Sequence, residues 1–381
     1  WNVYKFHADY AALDGFDPDN EGSNVPIEER SPLDRWILSK VASMADGYHD
    51  QFVGWDFHKA GRDLENFVVN DLSNWYVRRS RRRLWNEADS RDKHSCQNTL
   101  HEVLLVVCKL MAPVSPFVSD TIHRGLAGTS VHLADWPVGS DLVQRSLPPI
   151  DPLIEIEMDL VRSIAEAGRR VRVEAGRRQR LPCRSGWIVG GPDLSSFHDI
   201  LSEELNVEDI SVVDELDKFQ KIEIVPNRKA LGAKCRGDLP RVLSELEMAH
   251  PETLLLEIEA GIAAFGGYEI LASDIEIKRV EREGFAAETL SGDYGDVSLV
   301  LDMEVDEDLL SKGLSRDIIR RIQAKRKDLD LEIEASINLY VWIEGGKLSD
   351  LDWGRVVSET RSEKAYLNEG VANDNSIEFE V

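Results

Sequence analysis

The sequence predicts a multidomain protein in which an all-α antiparallel helix bundle is followed by an α+β region. Three observations carry that prediction. Apolar residues recur at helical spacing from Leu33 to Ala127 with only short connections, the pattern of packed amphipathic helices. Pro137, Pro148, Pro149 and Pro152 then punctuate a segment without periodicity, which marks a boundary. Beyond it, helices alternate with short runs rich in Val and Ile, as expected of mixed layers.

The opening W-N-V-Y-K-F-H reads as the middle of a helix, with neither an initiator Met, a charged leader nor a cleavage site, and so as part of a longer chain. After a loop rich in Asp, Gly, Asn and Pro from Asp14 to Pro32, Leu33, Trp36, Ile37, Val41 and Met44 define the first long helix. A second is expected over roughly 57–87, with Leu64, Phe67, Val68, Leu72, Trp75 and Tyr76 on one i, i+3, i+4 stripe. A third covers about 93–111, and Pro113 and Pro116 bracket the turn into a fourth over about 116–127. The bundle is therefore placed at 1–136 and a linker at 137–152. An α+β region over 153–304 carries β-like runs at 187 (W-I-V), 210 (I-S-V-V), 221 (K-I-E-I-V), 275 (I-E-I-K) and 297 (V-S-L-V-L). A last α/β unit, 305–381, opens with the helix start D-E-D-L-L and reaches a strand-like I-N-L-Y-V-W at 337–342. No internal repeat is present.

Composition bounds the function. A hydrophobic content of 42% with nine Trp in 381 residues supports real cores. Apolar runs such as Val103 to Cys108 are too short to span a bilayer, so the expectation is a soluble globular protein. Cys96, Cys108, Cys183 and Cys235 are separated by at least eleven residues, which offers no C-x-x-C metal pair and reads as reduced thiols in a cytosolic protein. No metal site is expected.

A net charge of -25 argues against a polyanionic partner until its distribution is considered. Residues 1–150 hold 16 Lys+Arg against 21 Asp+Glu, so most of the excess acid lies in the second part. Two basic islands interrupt it. D-L-S-N-W-Y-V-R-R-S-R-R-R-L-W at 71–85 sets Arg78, Arg79, Arg81, Arg82 and Arg83 around most of a helical turn, so they cannot all face a core. Residues 160–184 contain eight Arg and two Glu. Either island is read as a solvated, ion-paired helix face or as a phosphate-binding surface. Arg outnumbers Lys 30 to 15, which suits two-pronged phosphate contacts. Trp75 and Tyr76 share the apolar stripe and are read as core in preference to base-stacking platforms.

Catalytic signatures are missing from the sequence. The nine His form no H-x-x-x-H pair, and neither a G-x-S-x-G elbow nor a G-x-x-x-x-G-K-[ST] loop occurs. Gly190-Gly191 and Gly266-Gly267 are read as ordinary turns, and no role is given to Lys347-Leu348-Ser349.

The basic helix at 71–85, M-A-P-V-S-P-F-V-S-D at 111–120 and V-H-L-A-D-W-P at 131–137 together resemble the anticodon-binding region of class I aminoacyl-tRNA synthetases. The similarity is greatest to isoleucyl-tRNA synthetases of the archaeal and eukaryotic type. Three further elements resemble that family's C-terminal region: G-R-R-Q-R-L-P at 176–182, P-N-R-K-A-L-G-A-K-C at 226–235, and G-L-S-R-D-I-I-R-R-I-Q-A-K-R-K-D-L at 313–329. Cys183, Cys235 and Arg236 depart from its usual residues. The resemblance implies an ATP-dependent ligase that joins isoleucine to its tRNA and hydrolyses mischarged valyl-tRNA, in the cytoplasm. Neither His-Ile-Gly-His nor Lys-Met-Ser-Lys-Ser is present, so this part should contain no catalytic residue, bind no cofactor and be inactive alone. ATP and Mg, with Zn as a further candidate, are implied for the full-length enzyme.

The implied partners are tRNA(Ile) and an upstream catalytic domain of the same chain, with no membrane and no DNA. Candidate tRNA contacts are Arg78, Arg79, Arg82 and Arg83 in the first island and Arg169, Arg170, Arg172, Arg177, Arg178 and Arg180 in the second. Asn227, Lys229, Arg320, Arg321, Arg326 and Lys327 complete the set from the two later motifs. Two alternatives stand beside this: a free-standing noncatalytic tRNA-binding or assembly module, and the appendix of a valyl-type synthetase, which would carry a coiled-coil arm that the sequence does not suggest.

Overall fold

The computed structural model describes residues 1–20, 22–85, 90–137, 147–261, 263–292, 294–331, 335–342, 351–368 and 377–380. The chain divides into two compact units, Trp1–Val161 and Arg162–Val381. The sequence placed its linker at 137–152, whereas the units divide within a helix further on.

The first unit is the helix bundle. Helix α1 (Asn2–Asp14) ends at Gly15, whose φ of 64° is the left-handed conformation that stops a helix. Helix α2 (Pro32–Val53) starts where Ser31 caps the Asp34 amide and Pro32 supplies a preset φ. Asp56 caps α3 (Phe57–Asn66), which runs without a break through a π-helical stretch, Phe67–Val77, into α4 (Arg78–Trp85). Ser90 caps α5 (Arg91–Met111), and α6 (Pro116–Ala127) ends at Gly128. The core is built from Trp36, Ile37, Val41, Ala45 and Tyr48 of α2 with Phe67, Leu72 and Tyr76 and with Leu100, Val103 and Val107 of α5.

The second predicted helix therefore exists, but its middle does not keep the expected 3.6-residue period. Phe67, Leu72 and Val77 are buried five residues apart, as are Asp71 and Tyr76. Hydrogen bonds from i to i+5 widen the turn and bring those positions onto one face. Helix α7 (Pro152–Glu174) closes the unit with its first half, where Ile154, Met158 and Val161 are buried and Met158 Sδ accepts the Trp75 indole N–H at 3.3 Å.

The second unit opens with the rest of α7 and contains a four-stranded sheet whose strands lie in the order Val207–Val213, Cys183–Val189, Gly295–Asp302 and Phe285–Gly292. Strand β1 (Cys183–Val189) and α8 (His198–Leu205) lead to β2 (Val207–Val213), which pairs parallel to β1. Strand β3 (Gln220–Pro226) precedes α9 (Arg228–Cys235), α10 (Leu239–Met248) and α11 (Pro251–Glu259). A two-residue hairpin, β4 (Ala264–Phe265) with β5 (Tyr268–Glu269), follows, and β6 (Ile275–Glu281) pairs antiparallel with β3. Strands β7 (Phe285–Gly292) and β8 (Gly295–Asp302) form an antiparallel pair, and β8 also lies antiparallel to β1. Strand β7 was not foreseen because F-A-A-E-T-L-S-G has no alternating pattern; pairing with β8, whose residues 297–301 are buried, makes it a strand.

Asp306 caps α12 (Glu307–Asp328) by accepting the Leu309 amide at 2.8 Å. Strand β9 (Ile337–Trp342) is the centre of a second sheet, parallel to β10 (Ser362–Asn368) and antiparallel to β11 (Ile377–Glu380), with α13 (Trp353–Thr360) ahead of β10. Ile318 and Ile322 of α12 pack with Leu339 and Val356 in its core. Lys347-Leu348-Ser349 and most of the 137–152 linker lie outside the described residues. Among the described residues no helix is long and apolar enough to cross a membrane.

Candidate nucleic-acid interface

The first basic island is organised by one buried carboxylate. Asp34, on the first turn of α2, is fully buried. Arg83 donates to it through Nη1 at 2.8 Å and Nη2 at 2.6 Å, Tyr76 through its hydroxyl at 2.5 Å, and Ser95 through Oγ at 2.7 Å. Burial pulls the Asp34 carboxyl upward, but Arg83, Tyr76 and Ser95 outweigh it and hold the group below the usual carboxylate range. Burial, with Asp34 beside it, pushes the Tyr76 phenol well up, and burial pushes the neighbouring Cys96 thiol up to about 11. Arg83 also donates to the Asp92 carboxylate at 2.9 Å.

Arg83 is thus an internal strut joining α2, α4 and α5, which corrects its reading as a tRNA contact. Four hydrogen bonds, from all three of its nitrogens, engage its guanidinium with Asp34 and Asp92. Pinning Arg83 inward sets the phase of the helix. Arg78, Arg81 and Arg82 are consequently exposed, with Arg78 and Arg82 one turn apart on the same face. Arg79 lies with its guanidinium 4.3 Å from the Trp75 ring centroid, and Arg78 at 5.9 Å from the same ring, both within cation–π range. Trp75 and Tyr76 are core residues, 6% and 0% exposed.

The second island is dismantled by its own fold. Arg172 is buried and donates to the backbone carbonyls of Leu181, Leu205 and Asn206 at 2.6–2.9 Å. Arg177, also buried, donates to Met303 O at 2.8 Å and Pro182 O at 2.7 Å. Neither guanidinium is available to a phosphate, and both readings are corrected to structural roles. Arg169 pairs with Glu204 at 2.6 Å, Arg170 grips Glu288 with two nitrogens, and Arg180 pairs with Asp317. Arg178 is exposed in the turn after α7. Eight arginines in a row of 25 residues look like a basic surface only while the acids that meet them, contributed by α8, β7 and α12, are out of view.

The two later motifs split in the same way. Asn227 caps α9 by accepting the Ala230 amide at 3.2 Å, while Leu231 is core and Lys234 pairs with Asp274 at 2.9 Å. Lys229 is exposed on the first turn of α9. On α12, Arg320, Arg321 and Lys327 are exposed, but Arg326 is buried and donates to Ala335 O at 2.8 Å and Thr360 O at 3.3 Å. Arg326 is therefore corrected as well: it ties α12 to the strand and helix ends around it.

Sequence reasoning overlooked one feature. At the α2–α3 turn Trp55 is 81% exposed and Phe57 47% exposed. The signal was W-D-F-H-K at 55–59, two aromatics on either side of an acid at the start of the predicted second helix. Among the described residues no group of three or more His, Cys, Asp or Glu is placed to hold a metal ion.

The helix bundle presents Arg78, Arg81 and Arg82 on the exposed side of α4, and comparison with known proteins gives the family to which such a bundle belongs. Residues 34–185 match the family described as the anticodon-binding domain of tRNA ligase, so the chain carries a domain of that family. Over most of its length it is also similar to isoleucine–tRNA ligases. It is 33% identical over 89% of its length to isoleucine–tRNA ligase 2 of Bacillus cereus, and 31% identical over 97% to the isoleucine–tRNA ligase of Methanocaldococcus jannaschii. It is 32% identical over its whole length to that of Methanopyrus kandleri. The chain spans about a third of the length of these relatives: 32%, 34% and 35%.

Proposed function

We propose that this chain is the tRNA-binding part of an isoleucine–tRNA ligase and recognises the anticodon stem-loop of tRNA(Ile). The observation that carries the reading is the similarity to isoleucine–tRNA ligases over 89–100% of the chain, beyond the matched domain itself. The exposed cations Arg78, Arg81 and Arg82 on α4, with Arg320, Arg321 and Lys327 on α12, are its phosphate contacts. Each neutralised phosphate releases counterions, so affinity falls steeply with salt.

In this reading the chain supplies affinity and identity, and no chemistry. Anticodon recognition raises the rate of the complete enzyme by binding the productive arrangement better than others, which is differential binding. ATP-dependent charging with isoleucine, hydrolysis of mischarged valyl-tRNA and a cytoplasmic setting belong to the longer protein. The described residues offer no cluster placed for a metal ion, and the sequence no loop that cradles phosphates. No step of the reading passes through ATP, Mg or Zn here, and the chain alone is expected to be inactive.

The test is filter binding of the chain to tRNA(Ile) transcripts with native and altered anticodons across a salt series. Anticodon-dependent binding is expected. Replacing Arg82 by Ala should flatten the slope of log K against log[salt] by about one phosphate's share. Equal affinity for every anticodon would overturn the identity reading, and an unchanged slope would remove Arg82 from the interface.

A further inference from the structure

Exposed apolar side chains of the first unit collect at one end of its bundle. Helices α2 and α5 run parallel from a shared level, where Ser95 Oγ donates to Asp34 at 2.7 Å. At ~1.5 Å per residue, Val53 lies roughly 28 Å and Met111 roughly 24 Å beyond that level, so the α2–α3 and α5–α6 turns emerge at the same end. The segment after α6 joins them. Val131 packs with Cys108 of α5 and Ile122 of α6, and the Trp136 ring lies 6.1 Å from Tyr48 and 6.0 Å from Phe52 of α2. This end exposes Val53, Trp55 and Phe57 from the first turn, Val114 and Phe117 from the second, and Leu133 from the joining segment.

Charge at this end does not select a nucleic acid. Residues 110–119, L-M-A-P-V-S-P-F-V-S, carry no charged side chain in a chain where 30% of residues do. At the α2–α3 turn the exposed Lys59 and Arg62 are matched by the exposed Asp50 and Asp56. The exposed arginines of α4 lie at the opposite end, which Arg83 fixes through its bonds to Asp34. Large apolar groups gathered in one exposed place mark an interaction site, and depletion of charge is the signature of the centre of a protein–protein interface.

Helix α1 indicates the occupant. Asp14, at its C-terminal end, accepts from Lys93 at 2.5 Å and from Gln97 at 2.7 Å on the first turns of α5, so α1 runs antiparallel to α5. Tyr4, near its start, packs on the cluster of Cys108, Ile122 and Val131. A protein body joined ahead of α1 is thereby delivered to the apolar end, where the tether raises its effective concentration. The chain spans 32% and 35% of the length of two of its relatives, so in the ligase reading most of the protein is available to cover this end.

We infer that the apolar end of the bundle is the docking face for the part of the ligase chain that precedes α1, which covers Trp55, Phe117 and Leu133 and leaves the Arg78–Arg82 end to the RNA. This rests on the ligase reading above and adds to it the surface that holds the RNA-binding part against the rest of the chain.

The test uses the complete protein that contains these 381 residues, with the photoreactive p-benzoylphenylalanine in place of Phe117, which is 88% exposed. Irradiation should give crosslinks within one chain, to peptides outside the 381 residues. Crosslinks between two copies would assign the face to a second copy, crosslinks to tRNA would assign it to RNA, and no crosslink would leave the end uncovered; each of these overturns the inference. In parallel, Phe117→Glu should lower the rate of isoleucine charging by ~10- to 100-fold, because misplacing one part against another is felt at the reacting groups, with affinity for the anticodon hairpin unchanged. Phe117→Leu should keep most of the rate. The exposure of Phe117 leaves the bundle undisturbed by either change, which thermal melts of the 381-residue chain would check. Unchanged charging in Phe117→Glu would also overturn the inference. A complete protein that charges no isoleucine would overturn the ligase reading, while its crosslinks would still decide the docking face.

Discussion

Arg83→Met separates an internal strut from a nucleic-acid contact. Removing Arg83 leaves the fully buried Asp34 carboxylate with only the Tyr76 and Ser95 hydroxyls as donors. Breaking a buried pair from one side costs about 3–5 kcal/mol, because the remaining charge is uncompensated. The pH dependence has a defined sign. In the wild type the Asp34 pKa is depressed in the fold, so its contribution is present above the unfolded carboxylate value near 3.9 and is lost as pH falls through the folded value. In Arg83→Met, burial is opposed only by the two hydroxyls, the Asp34 pKa rises above its unfolded value, and the variant regains relative stability as the pH falls and Asp34 protonates. Urea denaturation at pH 7.5 and pH 5 would measure both effects, and adding Asp34→Asn to Arg83→Met should restore part of the loss. A cost below about 1 kcal/mol, as for an exposed arginine, together with weakened tRNA binding, would refute the strut and return Arg83 to the interface.

Other outcomes follow from the same structure. Arg172→Met should destabilise the second unit by about 3 kcal/mol, since it leaves the buried carbonyls of Leu181, Leu205 and Asn206 short of donors; thermal melts would show this, with the salt slope of RNA binding unchanged. Burial, and then the nearby His101, lowers the His7 pKa to about 4. His7 is therefore neutral in the fold while the unfolded chain protonates below about 6.5. Its share of stability is complete above that pH and falls by about 3 kcal/mol as the pH drops to about 4, a slope that denaturation of His7→Phe should lack. Cys96, Cys108, Cys183 and Cys235 are all buried, with Cys108 pushed up to about 12 by burial. Thiol titration should give almost no reaction in the native protein and all four groups in denaturant.

Much of the fold could be read from local signals. Ser31-Pro32, Ser90 and Asp306 announce helix starts by their own chemistry, and the Val- and Ile-rich runs at 210, 221, 275 and 297 all became strands. Strand β7 was not legible, because the burial that stabilises it comes from β8. The π-helical stretch was not legible either. Its five-residue spacing of Phe67, Leu72 and Val77 overlaps an i, i+4 stripe closely enough to be taken for one.

By itself the sequence determined the long helices of the bundle and most of the strands after it, the motifs that mark the anticodon-binding domain, and the positions at which positive charge accumulates. It could not determine what each arginine does. Arg83 finds Asp34 at 49 residues' separation and Arg177 finds Met303 at 126, distances over which residue spacing predicts nothing. The same guanidinium is a strut when the fold surrounds it with acceptors and a surface group when the fold leaves it exposed. Burial and long-range pairing decide between the two, and only the tertiary structure supplies them. Trp55 is the converse: an aromatic that composition assigns to a core, left in solvent by a turn whose backbone path is set by the packing of α2 against α3.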